Sequence, residues 1–173
     1  FFIYDKKENV LFLPRDRFGI KPLYYYFDGE RFIFASELKA IRCHSLDLKI
    51  NTSALNFYFY QKYIGNDLTI FENCYKLRPS ENLTFDLNQR HISKASYYDL
   101  EEEVAKFAMM PLNERIQSIE NRIVGAVEKR LVADVPVGAF LSGGVDSSLV
   151  SAIIARRKSD FDTFSIGFKE QSY

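Results

Sequence analysis

Val137-Gly138-Ala139-Phe140-Leu141-Ser142-Gly143-Gly144-Val145-Asp146-Ser147-Ser148 reads as a short apolar strand, Val137 to Leu141, then a glycine-containing loop and the start of a helix. The helix is expected over Asp146 to Arg157, where Leu149, Val150, Ile153 and Ile154 fall on one side, and Thr163 to Phe168 follows as a second strand. Together these make one right-handed βαβ unit, whose usual length is about 30 residues. At such a strand-to-helix turn the first N–H groups of the helix lack acceptors and the helix dipole presents its positive end, so the turn is an anion site. Gly143 and Gly144 let phosphate oxygens approach the backbone, while Ser142, Ser147 and Ser148 add hydroxyl donors. Asp146 would be repelled by a triphosphate unless a hard cation lay between them. Mg²⁺, with its oxygen ligands, is the natural bridge; the competing role for Asp146 is a helix cap. The spacing is neither the Gly-x-Gly-x-x-Gly of dinucleotide sites nor the Walker pattern, and the loop holds no lysine.

Upstream, Pro111 stands at the expected first position of a long helix in which Leu112, Ile116, Ile119, Ile123, Val127 and Leu131 recur every three or four residues, predicting one buried face. Lys129 and Arg130 suit its last turn, and Val135-Pro136 stops it. Leu100 to Phe107 is acidic and reads as a loose helical turn and linker material at a domain boundary. One βαβ unit cannot form a parallel sheet alone, so the remainder of the second domain is expected beyond Tyr173. Phe1-Phe2-Ile3-Tyr4 reads as the middle of a strand without an initiator Met, so the true N-terminus is expected upstream.

The first half predicts a small antiparallel sheet with strands Phe1 to Tyr4, Val10 to Pro14, Leu23 to Phe27 and Arg31 to Ala35. Asp28-Gly29 predicts a two-residue hairpin turn. Ser36 is the expected cap of a short helix, Glu37 to Cys43. Asn51-Thr52-Ser53 starts another helix, whose Ala54, Leu55, Phe57 and Tyr58 are expected in the core. Leu77-Arg78-Pro79-Ser80 turns into an extended Asn82 to Leu87, with His91 to Tyr98 as its partner. The charged stretch Arg15-Asp16-Arg17-Phe18-Gly19-Ile20-Lys21-Pro22 is open to two readings on residue types alone, a solvated turn or a special feature.

The 173 residues are 47% hydrophobic, enough to bury a core, and Lys+Arg and Asp+Glu both number 23. A net charge of zero favours neither nucleic acid nor an acidic membrane surface, so any anion site must be local. No apolar run has spanning length. Cys43 and Cys74 suggest no disulfide framework or zinc site; each is expected to be a buried apolar residue in a reducing compartment. His44 and His91 receive no function.

Ser142-Gly143-Gly144-Val145-Asp146-Ser147 resembles the PP-loop of the ATP pyrophosphatase superfamily, which cuts ATP between its α and β phosphates. The loop is shared by synthetases with several acceptors. Arg15 to Tyr25, Phe34-Ala35-Ser36-Glu37-Leu38-Lys39-Ala40, Ala133 to Gly138 and Ser165 to Phe168 extend the likeness to the glutamine-dependent asparagine synthetases, over essentially the whole chain. The resemblance implies an α+β first part, an incomplete Ntn-hydrolase-like antiparallel sheet, followed by an incomplete α/β, Rossmann-like PP-loop part with a parallel sheet. It implies the C-terminal part of a class II glutamine amidotransferase domain over 1–98, a linker over 99–110 and the start of a synthetase domain over 111–173. It also makes the Arg15 to Pro22 turn a family feature.

By position, the resemblance puts Leu141, Ser142, Gly143, Gly144, Asp146, Ser147 and Ile166 on ATP and pyrophosphate, with Asp146 on Mg²⁺ through pyrophosphate. The implied small molecules are ATP, aspartate, and glutamine or ammonia, in a cytoplasmic enzyme that allows a homodimer and engages neither nucleic acid nor membrane. The N-terminal Cys nucleophile of such enzymes does not lie in this stretch, which is expected to lack glutaminase activity and any catalytic residue of its own. Pro79-Ser80 departs from the Pro-Gly usual in the family. Two other readings stand beside this one: amidation of a different carboxylate, and a non-catalytic nucleotide-binding protein. Asp146 argues against the second, because a binder of adenosine needs no Mg²⁺.

Overall fold

The computed structural model describes residues 1–65, 67–158 and 160–167. The chain forms two compact units, Phe1–Glu103 and Val104–Tyr173. The first contains β1 (Ile3–Asp5), β2 (Val10–Pro14), β3 (Tyr24–Phe27), β4 (Phe32–Ala35), α1 (Leu38–Arg42), α2 (Thr52–Gln61), β5 (Cys74–Lys76), β6 (Glu81–Asp86) and β7 (His91–Ser96). A helix, α3 (Leu100–Ala108), runs through the junction. The second contains α4 (Leu112–Arg130), β8 (Ala139–Phe140), α5 (Val145–Arg157) and β9 (Thr163–Phe164). Among the described residues no helix is long and apolar enough to cross a membrane.

The antiparallel strands of the first unit divide between two sheets, ordered β1-β2-β6-β7 and β4-β3-β5, where one sheet was expected. β2 takes β6 as its second neighbour, with Leu13 opposite Leu83, so its pairing is settled by chain 70 residues away rather than by β3. Alternation along the strands then builds the core. Leu13, Tyr25, Leu77, Leu83 and Phe85 form one buried cluster drawn from both sheets, and Phe32 of β4 stacks on Phe85 of β6 with ring centroids 4.3 Å apart. Each fully buried leucine there stabilises by about 1.5–3 kcal/mol. Tyr26, one residue along β3, points to the other face, where it packs with Ile41 and Cys74 beneath α1. Burial pushes the Cys74 thiol up to about 11. Cys43 is exposed, contrary to expectation, because it sits at the C-cap of a five-residue helix whose one buried residue is Ile41.

Several local expectations change in detail. β3 and β4 are joined by four residues, 28–31, because the Asp28 carboxylate accepts the N–H groups of Glu30 and Arg31 and the Tyr26 hydroxyl, which organises a longer loop than Gly29 alone. Glu37, not Ser36, occupies the N-cap of α1, and no side chain caps it. Asn51 caps α2, taking the Ala54 N–H at 3.0 Å. Ala54 is buried, but Tyr58 is exposed and so are Phe59 and Tyr60, so the aromatic stripe is only partly core.

The Arg15 to Pro22 turn is built around its charges. Arg15 is 92% buried by side chain and backbone together, since its relative exposure is 8%, and its guanidinium donates to the carbonyls of Leu77, Gly19 and Lys21. The Asp16 carboxylate accepts the N–H groups of Phe18, Ile20 and Lys21. Gly19 has φ +65°, and a Cβ there would lie 2.8 Å from both the Arg15 guanidinium and Pro79. Ser80, where the resemblance implies a glycine, has φ +58°.

In the second unit Pro111 stands at the N-cap of α4 instead of its first helical position. Only the C-terminal part of the expected apolar face is covered: Val127 is buried with Ile153 and Ile154, and Ile123 and Leu131 pack beside them. Leu112, Ile116 and Ile119 are exposed, because α5 reaches only the last turns of α4. Leu100–Ala108 is a regular helix rather than a loose turn, opened by the Asp99 carboxylate on the Glu101 N–H at 2.8 Å. β8 and β9 are parallel, as a βαβ unit requires, but each spans two residues. Phe168, the expected end of the second strand, lies outside the described residues.

Candidate functional site

Gly138 permits the close approach of the strands from which the loop springs. A Cβ there would sit 2.6 Å from the Phe164 ring and 2.9 Å from the Asp162 carbonyl oxygen. Leu141 ends the strand pair, its N–H bonded to the Phe164 carbonyl at 2.8 Å. The chain then turns through Gly143, at φ +82°, a conformation that glycine adopts without strain, and enters α5 with Gly144 at the N-cap.

This geometry leaves main-chain donors without acceptors. The Ser148 N–H reaches the Gly144 carbonyl at 3.1 Å, but the N–H groups of Gly143, Gly144, Val145, Asp146 and Ser147 have no acceptor among the described residues. The serines hold the loop from within. Ser147 Oγ accepts the Ser142 N–H at 3.2 Å, lies 3.0 Å from Ser142 Oγ and donates to the Gly144 carbonyl at 3.1 Å. A loop with this shape can take an anion without rearranging its ends.

Asp146 is the second residue of α5, beyond the cap position, so the capping role is not the one it fills. Its carboxylate has no hydrogen bond and no ion pair among the described residues. Asp146 and Ser147 line a cavity of about 620 Å³ whose other walls come from α4, β8 and α5 and include Val127, Arg130, Phe140 and Val150. No group of three acidic, histidine or cysteine side chains that could hold a metal exists among the described residues. One carboxylate still fits Mg²⁺, which commonly binds through one or two carboxylates and takes its other ligands from phosphate oxygens and water.

The structure therefore brings Leu141, Ser142, Gly143, Gly144, Asp146 and Ser147 together on one turn, and Ile166 follows β9 at the adjacent strand end, 81% exposed. Sequence reasoning passed over one residue. The Ser165 hydroxyl donates to the Leu141 carbonyl at 2.6 Å, and its only local signal is a hydroxyl placed directly after an apolar strand.

Residues 1–98 match the family model described as a glutamine amidotransferase domain, and residues 118–173 match that described as asparagine synthase. A protein of Methanocaldococcus jannaschii, provisionally named glutamine-hydrolysing asparagine synthetase 2, is 41% identical over 98% of the chain and 33% of its own length. Two Bacillus subtilis proteins named glutamine-hydrolysing asparagine synthetase, numbers 1 and 3, are 31% and 34% identical over 100% and 98% of the chain. The chain covers 27% and 28% of those two proteins, so it spans a third or less of the length of these curated relatives.

Proposed function

We propose, from a chain that belongs to the glutamine amidotransferase domain family and continues into an asparagine synthase segment, that the whole protein makes asparagine from aspartate, glutamine and ATP. On this reading a carboxylate oxygen of aspartate attacks the α-phosphorus of ATP and pyrophosphate leaves, giving β-aspartyl-AMP. Ammonia released from glutamine then attacks the activated carbonyl carbon, AMP leaves with the bonding pair and the nitrogen loses a proton. The names of the relatives favour aspartate over another carboxylate as the acceptor.

The chain's own part in this scheme is the grip on ATP. The observation that carries it is the row of five N–H groups from Gly143 to Ser147, at the positive end of a 13-residue helix and beside Asp146, that have no partner among the described residues. These donors would hold the oxygens of the leaving pyrophosphate, where negative charge grows as the α–β bond breaks, so they favour the transition state over bound ATP. Ser142 and Ser147 add hydroxyls to the same anion, and Leu141 and Ile166 flank the nucleotide at the strand ends, the usual ligand side of an open α/β sheet. Mg²⁺, when bound, would supply positive charge between the phosphates and the Asp146 carboxylate.

The domain assignment follows the same reading: a class II amidotransferase part with Ntn-hydrolase-like sheets over 1–98, a linker over 99–110, and a Rossmann-like PP-loop part over 111–173.

Asp146→Ala in the whole protein tests the assignment. Aspartate-dependent pyrophosphate release is expected to fall by at least about 100-fold, the scale of losing an electrostatic contact made in the transition state. Glutamine hydrolysis is expected to persist. Unchanged pyrophosphate release would overturn the role of Asp146 and of its loop.

A further inference from the structure

We infer that Ser165 is a positioning residue for the loop, an inference that rests on the loop being the pyrophosphate grip. β8 and β9 are joined by the Ala139 N–H on the Asp162 carbonyl, at 2.9 Å, and the Leu141 N–H on the Phe164 carbonyl, at 2.8 Å. In this register, Ala139 opposite Thr163 and Phe140 opposite Phe164, the next rung of the parallel ladder is the Ile166 N–H on the Leu141 carbonyl. That rung is not made among the described residues. The Ser165 hydroxyl takes the carbonyl instead, at 2.6 Å.

The substitution of a side chain for a backbone rung has two effects. It ends the ladder at Leu141 and leaves Ile166 exposed at the strand ends, where a nucleotide would enter. It also fixes a peptide plane. The Leu141 carbonyl and the Ser142 N–H belong to one rigid peptide group, and that N–H donates to Ser147 Oγ, which in turn donates to the Gly144 carbonyl. A continuous relay thus runs from Ser165 through peptide 141–142 to Ser147 and the N-cap of α5. Ser165 touches no substrate in this scheme; it sets the angle at which the loop leaves the sheet. Such relays polarise each bond in turn, so removing one member weakens the others.

The test compares Ser165→Ala, Ser165→Thr and Ser165→Val in the whole protein, with ATP varied and pyrophosphate release and glutamine hydrolysis both followed. Losing one neutral hydrogen bond predicts a rise in the KM for ATP of about three- to tenfold in Ser165→Ala. The kcat for pyrophosphate release should fall by no less, since the loop donors act on charge that grows in the transition state, while the rate of glutamine hydrolysis should be unchanged. Thr keeps the hydroxyl and should restore the wild-type KM, whereas Val, of the same shape without it, should not, a comparison that survives if the Ala variant folds poorly. Equal KM values for Thr and Val would overturn the inference, as would parallel losses in both activities. Asp146→Ala, measured alongside, separates the two levels: full pyrophosphate release there overturns the assignment of the loop itself, while its loss together with an unaltered Ser165→Ala overturns only the role of Ser165.

Discussion

Asp16 is a surface carboxylate whose effect on stability comes from the backbone. The N–H of Lys21, then that of Ile20 and of Phe18, hold its carboxyl below the usual value of 3.8, with the neighbouring Arg15 adding to the effect. A depressed folded-state value means that the unfolded chain takes up the proton first as pH falls. The stabilisation is therefore complete above the ordinary value of 3.8 and is lost as pH drops through the lower folded value. Asp16→Asn should lower the denaturant midpoint of the chain at about pH 6, and the gap should narrow as the pH falls below 3.8 towards the lower folded value. A gap independent of pH would show that the carboxylate charge contributes nothing. Residue-scale chemistry was readable in the sequence where it is local. The loop residues from Ser142 to Ser147 are adjacent in the chain, so strand, glycines and helix sufficed to find them. Ser165 was not readable, because the carbonyl it holds lies 24 residues away and only the register of two short strands brings it near.

At the scale of elements, the Pro79-Ser80 turn carries a cost in backbone strain. Ser80 stands at φ +58°, where a Cβ crowds the following carbonyl at a cost of about 1–2 kcal/mol. Ser80→Gly relieves that crowding but loosens the unfolded chain by about 0.4–1 kcal/mol. The net expectation is a stabilisation of about 0.5–1 kcal/mol, read as a higher midpoint in urea. A lower midpoint would mean that the Ser80 hydroxyl, which donates to the Pro79 carbonyl at 2.7 Å, stabilises more than the backbone strain costs. Individual elements were legible from period and cap: β2 was expected over the residues it occupies, and Asn51 caps α2 as its side chain predicts. Their assembly was not. Nothing near β2 announces β6, and the turn between β2 and β3, whose Arg15 donates to the Leu77 carbonyl, carries no local signal that the two strands enter different sheets. The exposed half of α4 was missed for a related reason, since periodicity marks a face without saying how far along it a partner runs.

The molecule as a whole carries 23 positive and 23 negative side chains, so near neutral pH no net repulsion keeps copies apart. β1 lies at the edge of its sheet with Phe2, Ile3 and Tyr4 exposed, an open row of backbone groups flanked by apolar side chains. Light scattering from the concentrated chain should peak near neutral pH and fall on either side, and Ile3→Lys should lower the peak by placing a charge on that edge. Scattering indifferent to both pH and the lysine would rule the edge out as the contact. The loop after β8 has a different bearing on how the molecule can fail. Its donors are peptide N–H groups, which every residue but proline carries, so exchanging one side chain for another cannot delete them. Loss of these main-chain donors, as distinct from the Asp146 carboxylate, must then arise at positions that govern backbone shape: Gly138, where a methyl group has no room, and Gly143, where φ is positive. A saturation screen would find these two glycines intolerant beside Asp146, although neither offers the anion a side chain.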